Sequence, residues 1–310
     1  MLRQFIESRL SYYRHSLSLL SSSSLNFKIV HSVSTQCTSS NANSNSSLSV
    51  SDVHQRSTRS TPLYILDASF NPPTVAHMRM ILYSDLFAEN SFKAPYQSRL
   101  LLLLAVNNAD KPSQPASLEH RLSMMEMFCT DLLLAIPDIE KVNLKIDIGI
   151  ISNPYFVDKM NTIENSGLYP LDMEHIYHIG FDTLVRIMNP RYYPPNYTLE
   201  KLGPFLEKHR FLVFYRLGGE YGSKSEQENF LVNIANGKLD AVAGQREWVR
   251  EGRIKFCTVS NFDSDDGIII SSTKVRDIIK NRDETHIKNT LGKLLTPHVR
   301  EWIEHSYLYI

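Results

Sequence analysis

The stretch LYILDASFNPPTVAH, residues 63–77, contains a short apolar strand, a loop with two prolines and the start of a helix. Residues 63–67 have the length and apolar character of a buried strand, and the two prolines fix a rigid turn after it. From residue 75 to residue 88, apolar side chains recur at helical spacing. This order of strand, loop and helix predicts the first half of a βαβ unit.

The same alternation continues along the chain. Strand patterns lie at residues 100–106, 142–150, 176–179, 211–215, 254–259 and 268–270, and helical patterns at residues 118–134, 156–163, 182–188, 274–280 and 298–307. The alternation predicts right-handed βαβ units in a doubly wound parallel sheet of the α/β class. Because ligands of such sheets bind beyond the carboxyl ends of the strands, we expect a site among the loops that begin at Asp67, Asn107, Gly180 and Ile270.

The composition excludes several other classes of protein. The 310 residues are 42% hydrophobic, and 33 basic residues balance 33 acidic ones. Because binding to a phosphate backbone relies on a basic excess, neither a nucleic acid nor an acidic membrane is the expected partner. Three cysteines are too few for a disulfide framework or a metal knuckle, which favours a reducing compartment. No apolar run approaches the roughly 20 residues of a membrane-spanning helix.

The first 32 residues contain four basic residues of which three are arginines, one acid, and apolar side chains at helical spacing up to Tyr13. Residues 27–30 have the pattern of a short strand. One interpretation is a mitochondrial leader, since such leaders are rich in arginine and poor in acids. The other is a helix and edge strand that dock on the domain behind them, in a protein of the cytoplasm or the nucleus. The strand favours docking, because a discarded leader gains nothing from it.

Residues 33–61 form a segment of unusual composition between this extension and the main domain, residues 62–310. Sixteen of the 28 residues from position 33 to position 60 are Ser, Thr or Asn, without hydrophobic periodicity. Such a segment cannot bury enough apolar surface to offset its ordering entropy, so we expect a flexible linker.

Two segments carry the candidate chemistry. Thr74 can cap the helix that follows it, and His77 lies in the first turn, where free N–H groups and the helix dipole favour anions. In ISSTKVR, residues 270–276, three hydroxyl residues precede a lysine and an arginine within one turn. Hydroxyls, amides and a guanidinium together can bind a polyphosphate. Each segment alone also fits an ordinary helix cap or a solvated basic face.

Together and in this order, the two segments resemble the signatures of the nucleotidyltransferase superfamily that includes the nicotinamide mononucleotide adenylyltransferases. Residues 68–77 resemble its G-S-F-N-P-x-T-x-x-H loop, and residues 270–276 match its I-S-S-T-x-x-R in full. Residues 117–124, 180–184 and 216–218 resemble its S-x-x-x-R-x-x-M, G-x-D-x-L and R-x-G motifs. Residues 63–73, 108–111 and 154–159 resemble a fungal branch related to the yeast promoter-of-filamentation protein.

Two positions depart from the first signature. Ala68 replaces its initial glycine, and Ala76 stands where relatives often have glycine. Each adds a Cβ where a glycine would let ATP approach the backbone closely, so we expect the adenine side to be shaped differently.

The resemblance implies a Rossmann-like nucleotidyltransferase fold and adenylyl transfer from ATP to nicotinamide mononucleotide, giving NAD and pyrophosphate. It implies His77 and Arg276 as catalytic residues, Mg²⁺ carried by ATP without dedicated protein ligands, and no protein nucleophile. The further residues implied in ATP binding are Ser69, Phe70, Thr74, Gly180, Asp182, Ser271, Ser272 and Thr273. Those implied for the mononucleotide are Lys111, Arg216 and Tyr192, with Tyr193 and Trp248 as rival aromatic rings.

Two alternatives to this function stay open. Both signatures serve the triphosphate and do not identify the acceptor, so a pantetheine-phosphate or cytidylyl transferase of the same fold is one alternative. The other is a nucleotide-binding or ATP-hydrolysing regulator in protein quality control, which the two alanines permit and the intact ISSTKVR disfavours. The choice between the amide and the acid form of the mononucleotide, and the oligomeric state, are not determined by the sequence.

Overall fold

A computed structural model describes residues 2–35, 61–87, 97–107, 116–139, 142–217, 220–257, 270–281 and 290–310. Within these residues one sheet contains seven strands: β1 (Phe27–Ser34), β2 (Leu63–Asp67), β3 (Ser98–Ala105), β4 (Leu144–Ile151), β5 (His175–Gly180), β6 (Arg210–Phe214) and β7 (Ile254–Phe256). Their order is β1-β4-β3-β2-β5-β6-β7. Only β1 is antiparallel to its neighbour. From β2 onward this is the strand order of a Rossmann-like doubly wound sheet, so the predicted fold class is confirmed.

Helices cover both faces of the sheet. Those with assigned bounds are α1 (Leu2–Ser22), α2 (Val75–Leu82), α3 (Leu118–Ala135), α4 (Phe156–Glu164), α5 (Phe181–Ile187), α6 (Gly203–Lys208), α7 (Lys224–Ala235), α8 (Glu247–Arg250), α9 (Ser272–Lys280) and α10 (Pro297–His305). The five leucines of β3 alternate between two buried clusters: Leu100, Leu102 and Leu104 face one, and Leu101 and Leu103 the other. This explains why the strand is apolar throughout, since both of its faces are covered.

The residues of α1 and β1 are docked on the domain, as the second interpretation of the sequence predicted. Tyr13 is fully buried, and its hydroxyl donates to the carboxylate of Glu126 in α3 at 2.8 Å. β1 pairs with β4 as far as Ser34, four residues beyond the predicted strand and two residues into the segment that was predicted as a linker. Residues 36–60 of that segment lie outside the described residues.

The observed elements differ from the predicted ones in several places, among them the end of α2, the strand predicted at residues 268–270 and α7. α2 ends at Leu82 rather than at residue 88, because the Ser84 hydroxyl donates to the Ile81 carbonyl at 2.7 Å and ends the helix. Ile270 is not in a strand, and the rest of the strand predicted at residues 268–270 lies outside the described residues.

Another difference is α7, a polar helix that hydrophobic periodicity does not reveal. Ser223 and Glu226 form a capping box at its start, a local signal that could have predicted the helix. Within the described ranges, no helix is long and apolar enough to cross a bilayer.

Candidate functional site

The carboxyl ends of β2 and β5 lie side by side at the centre of the sheet. After β2 the chain enters α2, whose Ile81 belongs to one buried cluster, and after β5 it enters α5, whose Leu184 belongs to the other. Because the chain leaves the two strands toward opposite faces, a crevice opens between them. The candidate site is built around this point.

The loop after β2 is tightly packed. Phe70 is fully buried and has φ 44°, in the left-handed region that a residue with a side chain seldom adopts. Its ring centroid lies 5.3 Å from that of the His77 imidazole. Ala68 packs against the cluster that contains Ile81, so the methyl group that replaces the family's glycine is accommodated by the core. Ser69, between Ala68 and Phe70 in the chain, is exposed.

His77 is held in one orientation by the residue that precedes its helix. Its Nδ1 accepts from the backbone N–H of Thr74 at 3.0 Å and lies 2.9 Å from the Thr74 hydroxyl. Burial, with a smaller effect of the positive charge of Arg216, lowers the pKa of His77 to about 4. The ring is therefore neutral at pH 7, and because Nδ1 accepts, Nε2 carries the proton. His77 can thus donate a hydrogen bond to an anionic oxygen.

The start of α9 contacts this loop across about two hundred residues of sequence. Arg276 donates from Nη1 to the Asn71 carbonyl at 2.7 Å, a separation of 205 residues. Ser272 donates to the Pro72 carbonyl at 2.7 Å, a separation of 200 residues. The two signature segments therefore converge, as the sequence predicted. They place a guanidinium beside the loop that ends at His77.

The hydroxyl residues of this segment have different tasks. Ser271 caps α9 by accepting from the Lys274 N–H at 3.1 Å, and the Ser272 hydroxyl is engaged with the β2 loop. Thr273 is exposed, and its hydroxyl accepts from Arg276 at 3.1 Å. The two serines therefore shape the turn, whereas Thr273 and Arg276 are the side chains that it presents.

The end of β5 places a carboxylate at the crevice. Gly180 ends the strand, and Asp182 follows in the first turn of α5. A Cβ at position 180 would lie 2.4 Å from the Asp182 Oδ1, so only glycine lets this carboxylate fold back over the strand end. Arg186 lies 3.7 Å from the other carboxylate oxygen, one turn further along the helix. Asp182 can accept hydrogen bonds from a ligand's hydroxyl groups.

Arg216 follows β6 and is fixed by a residue that the sequence analysis did not identify. The Gln227 side chain of α7 is fully buried, accepts from the Arg216 N–H at 3.0 Å and donates to its carbonyl at 2.9 Å. The charge of Arg216 also contributes to the low pKa of His77, so the two residues act on the same region.

Comparison with known proteins gives the family. The chain is 33% identical over 224 residues to the curated Schizosaccharomyces pombe (strain 972) protein named "Putative nicotinamide mononucleotide adenylyltransferase". This match covers 72% of the chain and 78% of the relative. The chain belongs to the nicotinamide mononucleotide adenylyltransferase family. No family model matches the sequence.

Solved structures of adenylyltransferases show a weaker likeness. Two are of the Plasmodium falciparum nicotinic acid mononucleotide adenylyltransferase, one complexed with NaAD (14% identity) and one with APC (13% identity). Each alignment covers 80% of this chain and 97% of that one, with a TM-score of 0.47. At this TM-score the likeness carries no argument about the site, and the strand order itself establishes the fold.

Two of the three aromatic rings considered for this adenylyltransferase's pyridine ligand are core residues. Tyr193 is 5% exposed and donates to the Ile187 carbonyl at 2.6 Å, and Trp248 is 2% exposed within the second buried cluster. With so little surface exposed, neither ring can stack on a ligand, so the interpretation of either ring as a stacking surface is wrong. Tyr192 is partly exposed, and the guanidinium of Arg191 lies 4.6 Å from its ring centroid.

The sequence analysis also did not identify an ion pair at the end of β2. Lys159 of α4 donates to the carboxylate of Asp67, the last residue of β2, at 2.7 Å, and both side chains are largely buried. Only the position of Lys159 beside the apolar Val157 and Met160 could have suggested this from the sequence. The ion pair fixes the strand end from which the adenylyltransferase's first signature loop begins.

Two further points concern ligand groups of the family. Lys111 and the stretch 108–115 lie outside the described residues, so the prediction for Lys111 stays a prediction. Among the described residues there is no group of three or more His, Cys, Asp or Glu that could hold a metal ion.

Proposed function

We propose that this adenylyltransferase transfers the adenylyl group of ATP to nicotinamide mononucleotide, releasing NAD and pyrophosphate. The observation that carries the proposal is the bond from Arg276 to the Asn71 carbonyl, which brings a guanidinium to the loop that holds His77. Membership of the family supports the reaction class. The name of the 33%-identical relative and the fungal-type segments favour the amide form of the acceptor.

The reaction needs positioning and charge stabilisation rather than a protein nucleophile. A phosphate oxygen of the mononucleotide attacks the α-phosphorus of ATP, a P–O bond forms, and the bond to the β-phosphate oxygen breaks in line. Negative charge grows on the departing pyrophosphate. The guanidinium of Arg276, the hydroxyl of Thr273 and the Nε2–H of His77 would stabilise that charge as preorganised donors.

The other residues would hold the two substrates. Asp182 would accept from the adenosine ribose beside Gly180, and Ser69, Phe70 and Thr74 would contribute loop contacts to ATP. Ser271 and Ser272 would act by shaping the turn that presents Thr273 and Arg276. Arg216 and Lys111 would bind the mononucleotide phosphate, and Tyr192 its pyridine ring. Mg²⁺, entering with ATP, would neutralise part of the phosphate charge.

We also propose that the protein works in the cytoplasm or the nucleus, with mitochondria as the alternative location, and that it retains α1. The buried bond from Tyr13 to Glu126 and the pairing of β1 with β4 support retention, since a cleaved leader would remove both. Mass spectrometry of the protein isolated from cells tests this. An N-terminus within or beyond α1 (Leu2–Ser22) would contradict it.

The decisive experiment follows products from the purified full chain with ATP and Mg²⁺. Parallel reactions contain nicotinamide mononucleotide, nicotinic acid mononucleotide or phosphopantetheine, and both the dinucleotide and pyrophosphate are measured. We expect NAD and pyrophosphate in equal amounts, with the amide acceptor preferred. Product with phosphopantetheine alone would identify a different transferase, and ATP hydrolysis without a dinucleotide would favour the regulator.

A further inference from the structure

Residues 306–310 turn back from α10 toward the loop after β2. Tyr307 and Tyr309 have φ values of 50° and 69°, both in the left-handed region, and the Leu308 N–H donates to the Ile303 carbonyl at 3.2 Å. Leu308 and Tyr309 pack against the first buried cluster, whereas Tyr307 is 78% exposed. The packing of this segment therefore stabilises two residues whose backbone conformation is unfavourable.

The Tyr309 side chain reaches the first signature loop. Its hydroxyl donates to Oδ1 of Asn71 at 2.8 Å, across 238 residues of sequence. Asn71 is 4% exposed, and its backbone carbonyl is the acceptor for Arg276. One buried residue therefore connects the tyrosine to the guanidinium that we assign to the leaving pyrophosphate.

Burial keeps the Tyr309 phenol protonated and therefore a hydrogen-bond donor, because it holds the pKa of Tyr309 above its usual value. Burial raises the pKa of Tyr309, and the positive charges of Arg121 and Arg276 act in the opposite direction without restoring the usual value. Arg121 is 6% exposed and donates from Nε to the Ala116 carbonyl at 2.9 Å. Neither arginine has a carboxylate partner in the described part of the chain. The phenol therefore lies among positive charges. Because it stays neutral, it does not compete with an anionic ligand for these arginines.

We propose that Tyr309 is a positioning residue of the ATP site, holding the Asn71 side chain and thereby the carbonyl that orients Arg276. The proposal rests on the proposed function, and it adds a determinant of ATP binding that lies outside both signatures. Loss of the hydroxyl would leave the buried Asn71 amide without this donor and free the loop to shift. Because Asn71 carries the anchor of Arg276, the effect should fall on ATP and pyrophosphate rather than on the mononucleotide.

The test is the Tyr309→Phe variant of the full chain, which keeps the ring and removes only the hydroxyl. Tyr307→Phe is the matched control, since it makes the same chemical change two residues away on an exposed side chain. Steady-state NAD formation is measured with ATP varied at saturating mononucleotide and with the mononucleotide varied at saturating ATP. Thermal unfolding is recorded for each variant.

We expect Tyr309→Phe to raise the KM for ATP about 5-fold, the usual effect of one hydrogen bond, with the KM for the mononucleotide unchanged. Tyr307→Phe should match the wild type. If Tyr309 only supports the core, its variant will lower the unfolding temperature and leave the ratio of the two KM values unchanged. That outcome would overturn the proposal.

A second variant tests the route through Asn71. In an Asn71→Ala background, Tyr309→Phe should have no further effect on ATP, because the partner of the hydroxyl is already absent. Additive effects would contradict the proposal. If the wild type forms no dinucleotide, the proposed function fails, and calorimetry of ATP binding to the same variants still decides the role of Tyr309.

Discussion

The proposed phosphate end and the proposed pyridine end of the site are built by different means. At the phosphate end, contacts to Thr74, Asn71 and Pro72 fix His77, Arg276 and Ser272. All six residues lie in the two signature segments, residues 68–77 and 270–276. At the pyridine end, Tyr192 lies against its neighbour Arg191, and the other candidate rings are buried. The proposed phosphate contacts therefore depend on backbone turns, whereas the proposed contact to the acceptor's ring depends on side-chain packing.

The largest expected effect is at the phosphate end. Replacing His77 by alanine removes the neutral Nε2–H donor, and one such donor is typically worth ~10²–10³ in kcat. Turnover is measured by pyrophosphate release at saturating substrates. His15→Ala, at an exposed position of α1, should retain full activity. Near-normal turnover of His77→Ala would show that the phosphate end does not take part in the mechanism as described.

Arg276→Ala tests whether the two ends bind different substrates. A hydrogen bond to a charged group contributes about 1.5–3 kcal/mol of binding free energy. We therefore expect ATP to bind about 10- to 100-fold more weakly, with binding of the mononucleotide unaffected. Calorimetry with each ligand measures the difference. Lys280→Ala, exposed on the same helix, serves as the control. A selective loss of mononucleotide binding would move Arg276 to the other end.

His178, in β5 beneath the strand end, predicts an acid dependence of stability. Burial lowers its pKa to about 3, and neither ring nitrogen has a hydrogen-bond partner among the described residues. Below pH 6.5 the unfolded chain binds a proton that the folded chain does not, so the free energy of unfolding falls as the pH falls. For one such imidazole the fall is about 2 kcal/mol between pH 6.5 and pH 5.

Urea unfolding at pH 7 and pH 5 measures this dependence. The His178→Leu variant should lose about 2 kcal/mol less between the two pH values than the wild type, and His305→Leu, at an exposed position, should behave like the wild type. Equal losses for His178→Leu and the wild type would show that the ring is protonated in the folded state. Because burial also lowers the pKa of His77 to about 4, the histidine at the phosphate end should stay neutral throughout.

The smallest expected effect is at the pyridine end. Tyr192→Ala should raise the KM for the mononucleotide about 2- to 10-fold, the range expected for one aromatic contact, while Tyr192→Phe should retain it. The KM for ATP should be unchanged in both. If the alanine variant binds the mononucleotide normally, the pyridine ring contacts another surface and the contrast between the two ends becomes sharper.

The same contrast explains what could be predicted from the sequence. The sheet could be predicted because strand periodicity is a local property of the chain. The convergence of residues 68–77 and 270–276 could be predicted only because the two segments together resemble the family's signatures. Tyr193 and Trp248 were misinterpreted because burial of an aromatic ring depends on which face of the fold it meets. Tyr309 has no local signal, since its partner lies 238 residues away.

The docking of α1 and β1 suggests that the chain can be assembled from two separate fragments. β1 pairs with β4 at seven positions, and Tyr13 provides a buried polar anchor in addition. A peptide of residues 1–35 and a polypeptide of residues 61–310, produced separately, should therefore reassociate into an active enzyme. In such a complementation assay, NAD formation would report on any interaction that brings the two fragments together.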